Sequence, residues 1–381
     1  MIFERRLLTR DRGAGVLEKL WQIPWSFVLL VCAVAAVGYV ALLSAGSGNP
    51  ELYAQKHAIR FGFGLVMMLC IALVDIRLIA RFAWLGYLAG IALLVLVLLH
   101  GNVGKGAQRW IDIGPIQLQP SELMKIMLVL ALASWFHRAS WEKMGNPLFL
   151  IPPAIAVLLP VGLILKQPNL GTALITCMVG AAVFWAAGMR WWKFALLAGA
   201  AGIAAPIAYE RLHDYQRARI TTFLDPESDP LGAGYNIIQS KIALGSGGLW
   251  GKGFLQGTQG HLNFLPEKQT DFIFTMIAEE FGLVGALTTL ALLMLTVAFC
   301  YLVAFRSKHQ FGRLLAVGLG TNYFLYVFVN VAMVTGSIPV GGVPLPLISH
   351  GGSAMLTVML GFGLLLSAYV HRDAEMGPMR E

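Results

Sequence analysis

The sequence predicts an all-α polytopic membrane protein with about ten transmembrane helices and one large extracytoplasmic loop. Three observations carry that expectation. The chain of 381 residues is 57% hydrophobic and only 13% charged, where a soluble chain carries roughly 25% charged residues. Its mean hydropathy is +0.70. Its apolar residues come in runs of about 20, the length that spans a bilayer as a helix. A helix satisfies its own backbone groups where no water is present, so spanning runs read as helices.

The formal net charge is +8. In a soluble chain that would point to nucleic acid; here no nucleic-acid partner is expected, because Lys and Arg gather in cytoplasmic loops of membrane proteins. The four cysteines, Cys32, Cys70, Cys177 and Cys300, all lie inside apolar runs. They show neither metal-ligand spacing nor a disulfide pattern, and no metal site is expected among the side chains. Residues 1–24 carry Arg5, Arg6, Arg10, Arg12 and Lys19, and the apolar run after them is too long for the core of a cleavable signal peptide.

Taken in order, the candidate spans centre on 25–45, 58–75, 80–100, 121–137, 148–166, 170–188, 191–209, 276–305, 313–335 and 351–371. This gives a cytoplasmic amino-terminal tail at 1–24, a membrane domain at 25–371 and a cytoplasmic carboxyl tail at 372–381. The eighth run is overlong and is expected to begin as a tilted or interfacial helix. Loops of one parity carry Arg77 and Arg81, Arg138 and Lys143, Arg190 and Lys193, then Arg306, Lys308 and Arg313. The last loop of the other parity, 336–349, has no charge. Both termini are therefore expected in the cytoplasm and the 209–275 loop outside. Trp21, Trp25, Trp110, Trp135, Trp141, Trp191 and Trp192 sit at span ends as an aromatic belt.

Four polar clusters are candidates for chemistry. In the first, Pro120 and Ser121 suit a helix start, and Glu122 and Lys125 follow at i, i+3 on one face. They read either as an ion pair that neutralises itself inside the bundle or as the charged wall of an outward-facing cavity, with Arg109 above it. The second is the turn Lys166 to Thr172, where Lys166 either contacts phosphate or snorkels to the interface. The third is the long loop. It carries Tyr215, Arg217 and Arg219, the acidic stretch Asp225 to Asp229, and a glycine-rich run from Gly245 to Gly253. That run fails the phosphate-loop pattern, with Ser246 and Gly253 in the wrong places. The loop then delivers Asp271 to the head of an apolar run. A carboxylate there reads as a helix N-cap or first-turn acid, as a functional group, or as both. Glu279 and Glu280 follow and are expected to be paired or near a polar surface. The fourth cluster is the Gly- and Pro-broken segment from Gly336 to Ser353, which reads as lining a covered or wet cavity. His350 within it reads as a hydrogen-bonded packing residue more readily than as a ligand.

Four motifs carry a resemblance to a known family. They are Gly106-Ala-Gln-Arg-Trp110 with Gln119-Pro-Ser-Glu122, then Gln167-Pro-Asn-Leu-Gly-Thr172, Phe264 to Phe274, and Gly342 to Ser353. In this order they resemble the shape, elongation, division and sporulation family across nearly the whole chain. The sequence departs from the pattern of many members at Asn169, Gly341 and His350. The resemblance implies a ten-span peptidoglycan glycosyltransferase that polymerises lipid II on the outer face of the bacterial inner membrane. It implies Asp271 as the essential acid, and Arg109, Glu122 and Lys125 as cavity residues. It further implies a class B penicillin-binding protein as transpeptidase partner, with other membrane proteins of the elongation complex.

The residues agree in kind. A β-1,4 glycan made from an α-linked sugar diphosphate inverts the anomeric carbon, and the acceptor hydroxyl needs one base, which a single carboxylate supplies. The leaving diphosphate needs cations, from Arg and Lys or from a divalent ion such as Mg or Mn. Asp271 is the expected base; Arg109, Lys125, Lys166 and Arg217 are the expected anion-holding groups. Two other classes fit parts of the pattern. A flippase for a lipid-linked precursor would carry polar groups through the full membrane depth, with repeat symmetry; here they cluster toward one face and no repeat is visible. A non-catalytic scaffold for the transpeptidase would keep its partner and dispense with the acid.

Overall fold

The protein is described from a computed structural model covering residues 15–376, apart from 105–106, 114–115, 138, 140, 211–213, 226–232, 263 and 266. Gly106 and Pro266 of the motifs, the acidic stretch at 226–229, and residues 1–14 and 377–381 of the tails lie outside the described residues.

A short helix, α1 (Val16–Gln22), precedes a helix at each of the ten apolar runs. These are α2 (Trp25–Ala45), α3 (Ala54–Ala72), α4 (Ile76–His100), α5 (Pro120–Phe136), α7 (Pro147–Lys166), α8 (Leu170–Ala186), α9 (Trp191–Glu210), α13 (Ile273–Arg306), α14 (Gln310–Val334) and α15 (Gly352–Val370). Among the described residues, six are long and apolar enough to cross a membrane: α2, α4, α7, α13, α14 and α15. Two of the others fall short for a reason that bears on function. Lys56, His57 and Arg60 sit in the first turns of α3, and α5 is shorter and carries Glu122 and Lys125.

Local chemistry sets several boundaries. Asp75 accepts from the Arg77 N–H at 2.8 Å to start α4, and Asn146 does the same for Leu148 at 3.0 Å, with Pro147 at the first helical position of α7. Helix α15 packs along α3, α5 along α4, and α14 along α13. The interior of α14 and α15, from Leu314 to Ala316 and from Leu364 to Ala368, is buried. Outward, Ile59, Phe63 and Val66 of α3 and Leu196, Leu197 and Ile203 of α9 are exposed. Large apolar side chains in such continuous stripes suit hydrocarbon, not water.

Three features differ from the sequence expectation. The 101–120 connection is not a plain loop: β1 (Asn102–Gly104), β2 (Ala107–Ile113) and β3 (Ile116–Leu118) form an antiparallel sheet in the order β1-β2-β3. The 209–275 segment is largely helical, with α10 (Asp214–Leu224), α11 (Ala233–Ser246) and α12 (Thr258–His261); a five-residue helix, α6 (Trp141–Gly145), lies earlier. The overlong eighth run is a broken helix, since Gly282 in α13 has φ 66° and ψ −163°.

The glycine-rich run completes that break. The Glu279 and Glu280 carbonyls accept from the Lys252 and Gly253 N–H groups, both at 3.0 Å. The Leu283 and Val284 N–H groups donate to the Gly248 and Leu249 carbonyls at 2.9 and 3.2 Å. Backbone groups freed in an apolar interior must find partners, and here a loop supplies them. A Cβ at Gly251 would lie 2.1 Å from the Glu280 oxygen, so the splice requires glycine there. Glu279 is fully buried and accepts from Lys252 Nζ at 2.7 Å, from Thr258 Oγ1 at 3.1 Å and from the Gln259 N–H at 3.0 Å. Glu280 accepts from Ser44 Oγ. An apolar cavity of about 350 Å³ lies beside the break, lined by Leu244, Leu249, Ala278, Leu283 and Ala286 among others.

Candidate active site

Asp271 lies in the turn that enters the short half of α13. It is not the N-cap: Phe272 holds that position, without a side-chain cap. The turn folds on itself, with the Thr270 N–H donating to the Glu267 carbonyl at 3.0 Å and Thr270 Oγ1 to Glu267 Oε2 at 3.1 Å. Lys268 Nζ ties it to the Gly260 carbonyl at 2.7 Å, and burial pulls the pKa of that ammonium down.

Two other elements grip the same turn. Asn330 of α14, fully buried, donates from Nδ2 to the Asp271 carbonyl at 2.9 Å and to the Val343 carbonyl at 2.7 Å. Ser349 Oγ donates to the Thr270 carbonyl at 2.5 Å while accepting from the Leu345 N–H at 2.8 Å. The His350 N–H donates to the Gln269 carbonyl at 2.8 Å. The broken 336–351 segment is therefore a clamp on the Asp271 turn. It approaches the carboxylate through a bare glycine: a Cβ at Gly342, φ +67°, would be 3.7 Å from Asp271 Oδ2. Asp271 itself is half-buried.

Glu122 and Lys125 form a closed ring with Tyr326. Lys125 Nζ donates to Glu122 Oε1 at 2.8 Å and meets the Tyr326 hydroxyl, which donates to Glu122 Oε2. Lys125 is 1% exposed and Glu122 6%. The pair neutralises itself in the interior. Tyr326 and Asn330 are one turn apart on α14, so the ring sits roughly 6 Å along that helix from the residue holding Asp271. A buried pair of this kind favours a single geometry more surely than it adds stability.

The remaining sequence candidates are dispersed. Arg109 of β2 donates from Nε to the Gln167 carbonyl at 3.2 Å and from Nη2 to the Pro168 carbonyl, pinning the sheet to the α7–α8 turn. Arg217 donates to the Tyr209 carbonyl at 3.2 Å and to the Glu210 carbonyl at the end of α9. Lys166 is exposed in the last turn of α7. Among the described residues no group of three or more His, Cys, Asp or Glu is arranged to hold a metal ion. The expectation of a divalent cation rests on the diphosphate alone. The sequence reading passed over Tyr326, Asn330 and Ser349. A phenol and an amide four residues apart in an apolar run were the available signal.

Fold and site together define a multi-pass membrane protein that holds one carboxylate at the head of a broken helix, against an irregular proline-rich segment. The cell cycle protein family of FtsW, RodA and SpoVE matches residues 21–374. The chain belongs to that family. It is 43% identical to the peptidoglycan glycosyltransferase MrdB of Escherichia coli over 350 residues, covering 90% of this chain and 93% of that protein. It is 35% identical to a probable peptidoglycan glycosyltransferase FtsW of Escherichia coli over 359 residues, covering 88% of this chain and 83% of the relative. Among solved structures, a chain of a peptidoglycan synthase complex that coordinates polymerization and crosslinking superposes with TM-score 0.81 at 34% identity, covering 93% and 99% of the two chains. The rod shape determining protein RodA of Thermus thermophilus superposes with TM-score 0.70 at 29% identity, covering 93% and 98%.

Proposed function

We propose that this chain is a peptidoglycan glycosyltransferase, polymerising lipid II with Asp271 as the base. Family membership and the names of its relatives supply the activity. The observation that supports the residue is the grip on its turn, since Asn330, Ser349 and His350, from two elements, converge on the backbone carbonyls of residues 269–271. Holding a catalytic group to one direction is where much of an enzyme's rate comes from.

In the reaction, an Asp271 carboxylate oxygen takes the proton of the acceptor sugar's 4-hydroxyl. The acceptor's 4-hydroxyl oxygen, freed of its proton, attacks the anomeric carbon of the donor from the face opposite the diphosphate. The new C–O bond forms as the bond to the diphosphate oxygen breaks, the configuration inverts, and undecaprenyl diphosphate leaves with the electron pair. Arg109, Lys125, Lys166 and Arg217 remain candidates for stabilising that charge; the geometry favours them unequally, because Lys125 is enclosed with Glu122.

In this reading the ten helices over the apolar runs all span the inner membrane, both termini are cytoplasmic and the site faces outward. A class B penicillin-binding protein is the transpeptidase partner, supported by the likeness to a chain of a synthase complex. The test is lipid II polymerisation by purified protein with that partner. Asp271→Asn is expected to abolish glycan synthesis, and full activity in that variant overturns the assignment.

A further inference from the structure

We infer that Arg60 and Lys56 of α3, together with His350, hold the diphosphate of the lipid-linked donor sugar beside the Asp271 turn. This rests on the glycosyltransferase reading above and deepens it by naming where the leaving group sits.

Lys56 and Arg60 are at i, i+4, on one face at the first turns of α3. Arg60 is half-buried, and its Nη1 lies 3.5 Å from His350 Nε2. Neither cation has a carboxylate within ion-pair distance among the described residues. A positive charge at the rim of an apolar helix is costly unless something anionic meets it, and two such charges one turn apart match the two negative groups of a diphosphate. Arg60 donating to Nε2 places the imidazole proton on Nδ1, which is buried and has no acceptor. The ring therefore serves by orienting the Arg60 guanidinium through Nε2, with the other guanidinium N–H groups turned to a phosphate. The Tyr53 ring meets the imidazole edge-on, with centroids 5.2 Å apart, and holds it upright. Across from Arg60 stands Gly352, where a Cβ would be only 3.2 Å from the guanidinium carbon, so the space there is kept for the cation and what it binds.

Position makes this a site for the leaving group. The His350 N–H is bonded to the Gln269 carbonyl and Ser349 Oγ to the Thr270 carbonyl, so the cations border the turn two residues from Asp271. Beside Arg60, on the adjoining face, Ile59, Phe63 and Val66 form an exposed stripe down α3, 65%, 61% and 62% accessible. A polyprenyl chain leaving the diphosphate has an apolar track there into the bilayer. By contrast, Arg109 and Arg217 are engaged with main-chain carbonyls, and Lys125 with Glu122 and Tyr326.

The same cations could attract an anionic phospholipid headgroup, so the experiment separates the two. The full chain is placed in nanodiscs of zwitterionic lipid and titrated with undecaprenyl diphosphate, and separately with phosphatidylglycerol, for wild type, Arg60→Gln, His350→Gln, Lys56→Gln and Asp271→Asn. Binding is read by native mass spectrometry. Arg60→Gln and His350→Gln are each expected to weaken undecaprenyl diphosphate binding about tenfold, the usual weight of a hydrogen bond to a charged group. Lys56→Gln, at an exposed position that does not threaten folding, is expected to weaken it about threefold. Asp271→Asn is expected to bind as wild type. Wild-type affinity in both Arg60→Gln and Lys56→Gln overturns the inference, as does phosphatidylglycerol binding as tightly as the diphosphate. Polymerisation by Asp271→Asn would defeat the catalytic reading without touching this one.

Discussion

Asn330 shows how a neutral side chain can matter as much as the acid it serves. Its amide bridges the main chain of the Asp271 turn and that of the 336–351 segment, and it is sealed from solvent. Removing it leaves two carbonyls without a donor, a cost of about 1–3 kcal/mol each if they stay dry, and frees the turn to shift. We expect Asn330→Ala to lower kcat on the order of a hundredfold while KM moves by no more than about twofold, because the amide touches no substrate but aims the base. Steady-state lipid II polymerisation measures both constants; a rise in KM with kcat unchanged would mean that Asn330 shapes a binding surface instead. Asp271 could be singled out from sequence because a carboxylate at a membrane edge is conspicuous. Asn330 and Ser349 could not, since short polar side chains are common in spans and only tertiary contact shows which backbone groups they join.

At the scale of elements, the splice at Gly282 is the instructive one. Two glycines of the run that enters it differ sharply in surroundings. Gly251 has φ +82° and a Cβ there would strike the Glu280 carbonyl, while Gly248 has φ +56° with open space around it. Gly248→Ala is expected to cost only the left-handed backbone penalty of about 1–2 kcal/mol. Gly251→Ala should displace the loop, strand the Glu279 and Glu280 carbonyls and lower the thermal unfolding midpoint in detergent far more. Equal shifts for the two variants would show that the splice is not rigid. The helices over the ten apolar runs were legible because twenty apolar residues leave the backbone no alternative. The sheet at 102–118 was not read, although Ile111 and Ile113 alternate with polar neighbours ahead of Gly114-Pro115, and Ile116 and Leu118 alternate after it, which is a hairpin pattern. Nor is the helical content of 209–275 marked by a clean apolar period, since α11 mixes Gln239, Ser240 and Lys241 into its apolar positions. The glycine run fails the phosphate-loop pattern in sequence, and the structure shows the Lys252 and Gly253 amides donating to a neighbouring helix.

For the molecule as a whole, the site has meaning only if it faces the compartment where glycan is made. Arg77, Arg81, Lys143, Arg190, Lys193, Arg306, Lys308 and Arg313 all fall in, or in the helix ends bordering, connections of one parity, while Asp271, His350 and the head of α3 belong to the other. The basic set is the one expected to stay in the cytoplasm. Glu51 follows α2 and is exposed, and Lys308 follows α13 with its side chain 75% exposed, so each can report on its own side. In whole cells with a permeable outer layer, a charged maleimide that cannot cross the inner membrane should label Glu51→Cys and spare Lys308→Cys until the membrane is opened, in a background where the native cysteines are replaced. The reverse pattern would put Asp271 on the cytoplasmic side, and would remove the glycosyltransferase reading however well the clamp on its turn is built. The two positions are joined through α2 and α13, which pack together, with Ser44 reaching Glu280 near the first and the Arg372 carbonyl accepting from the Lys308 N–H at 3.0 Å near the second. A single labelling experiment thereby fixes the orientation of the broken helix and the acid at its head.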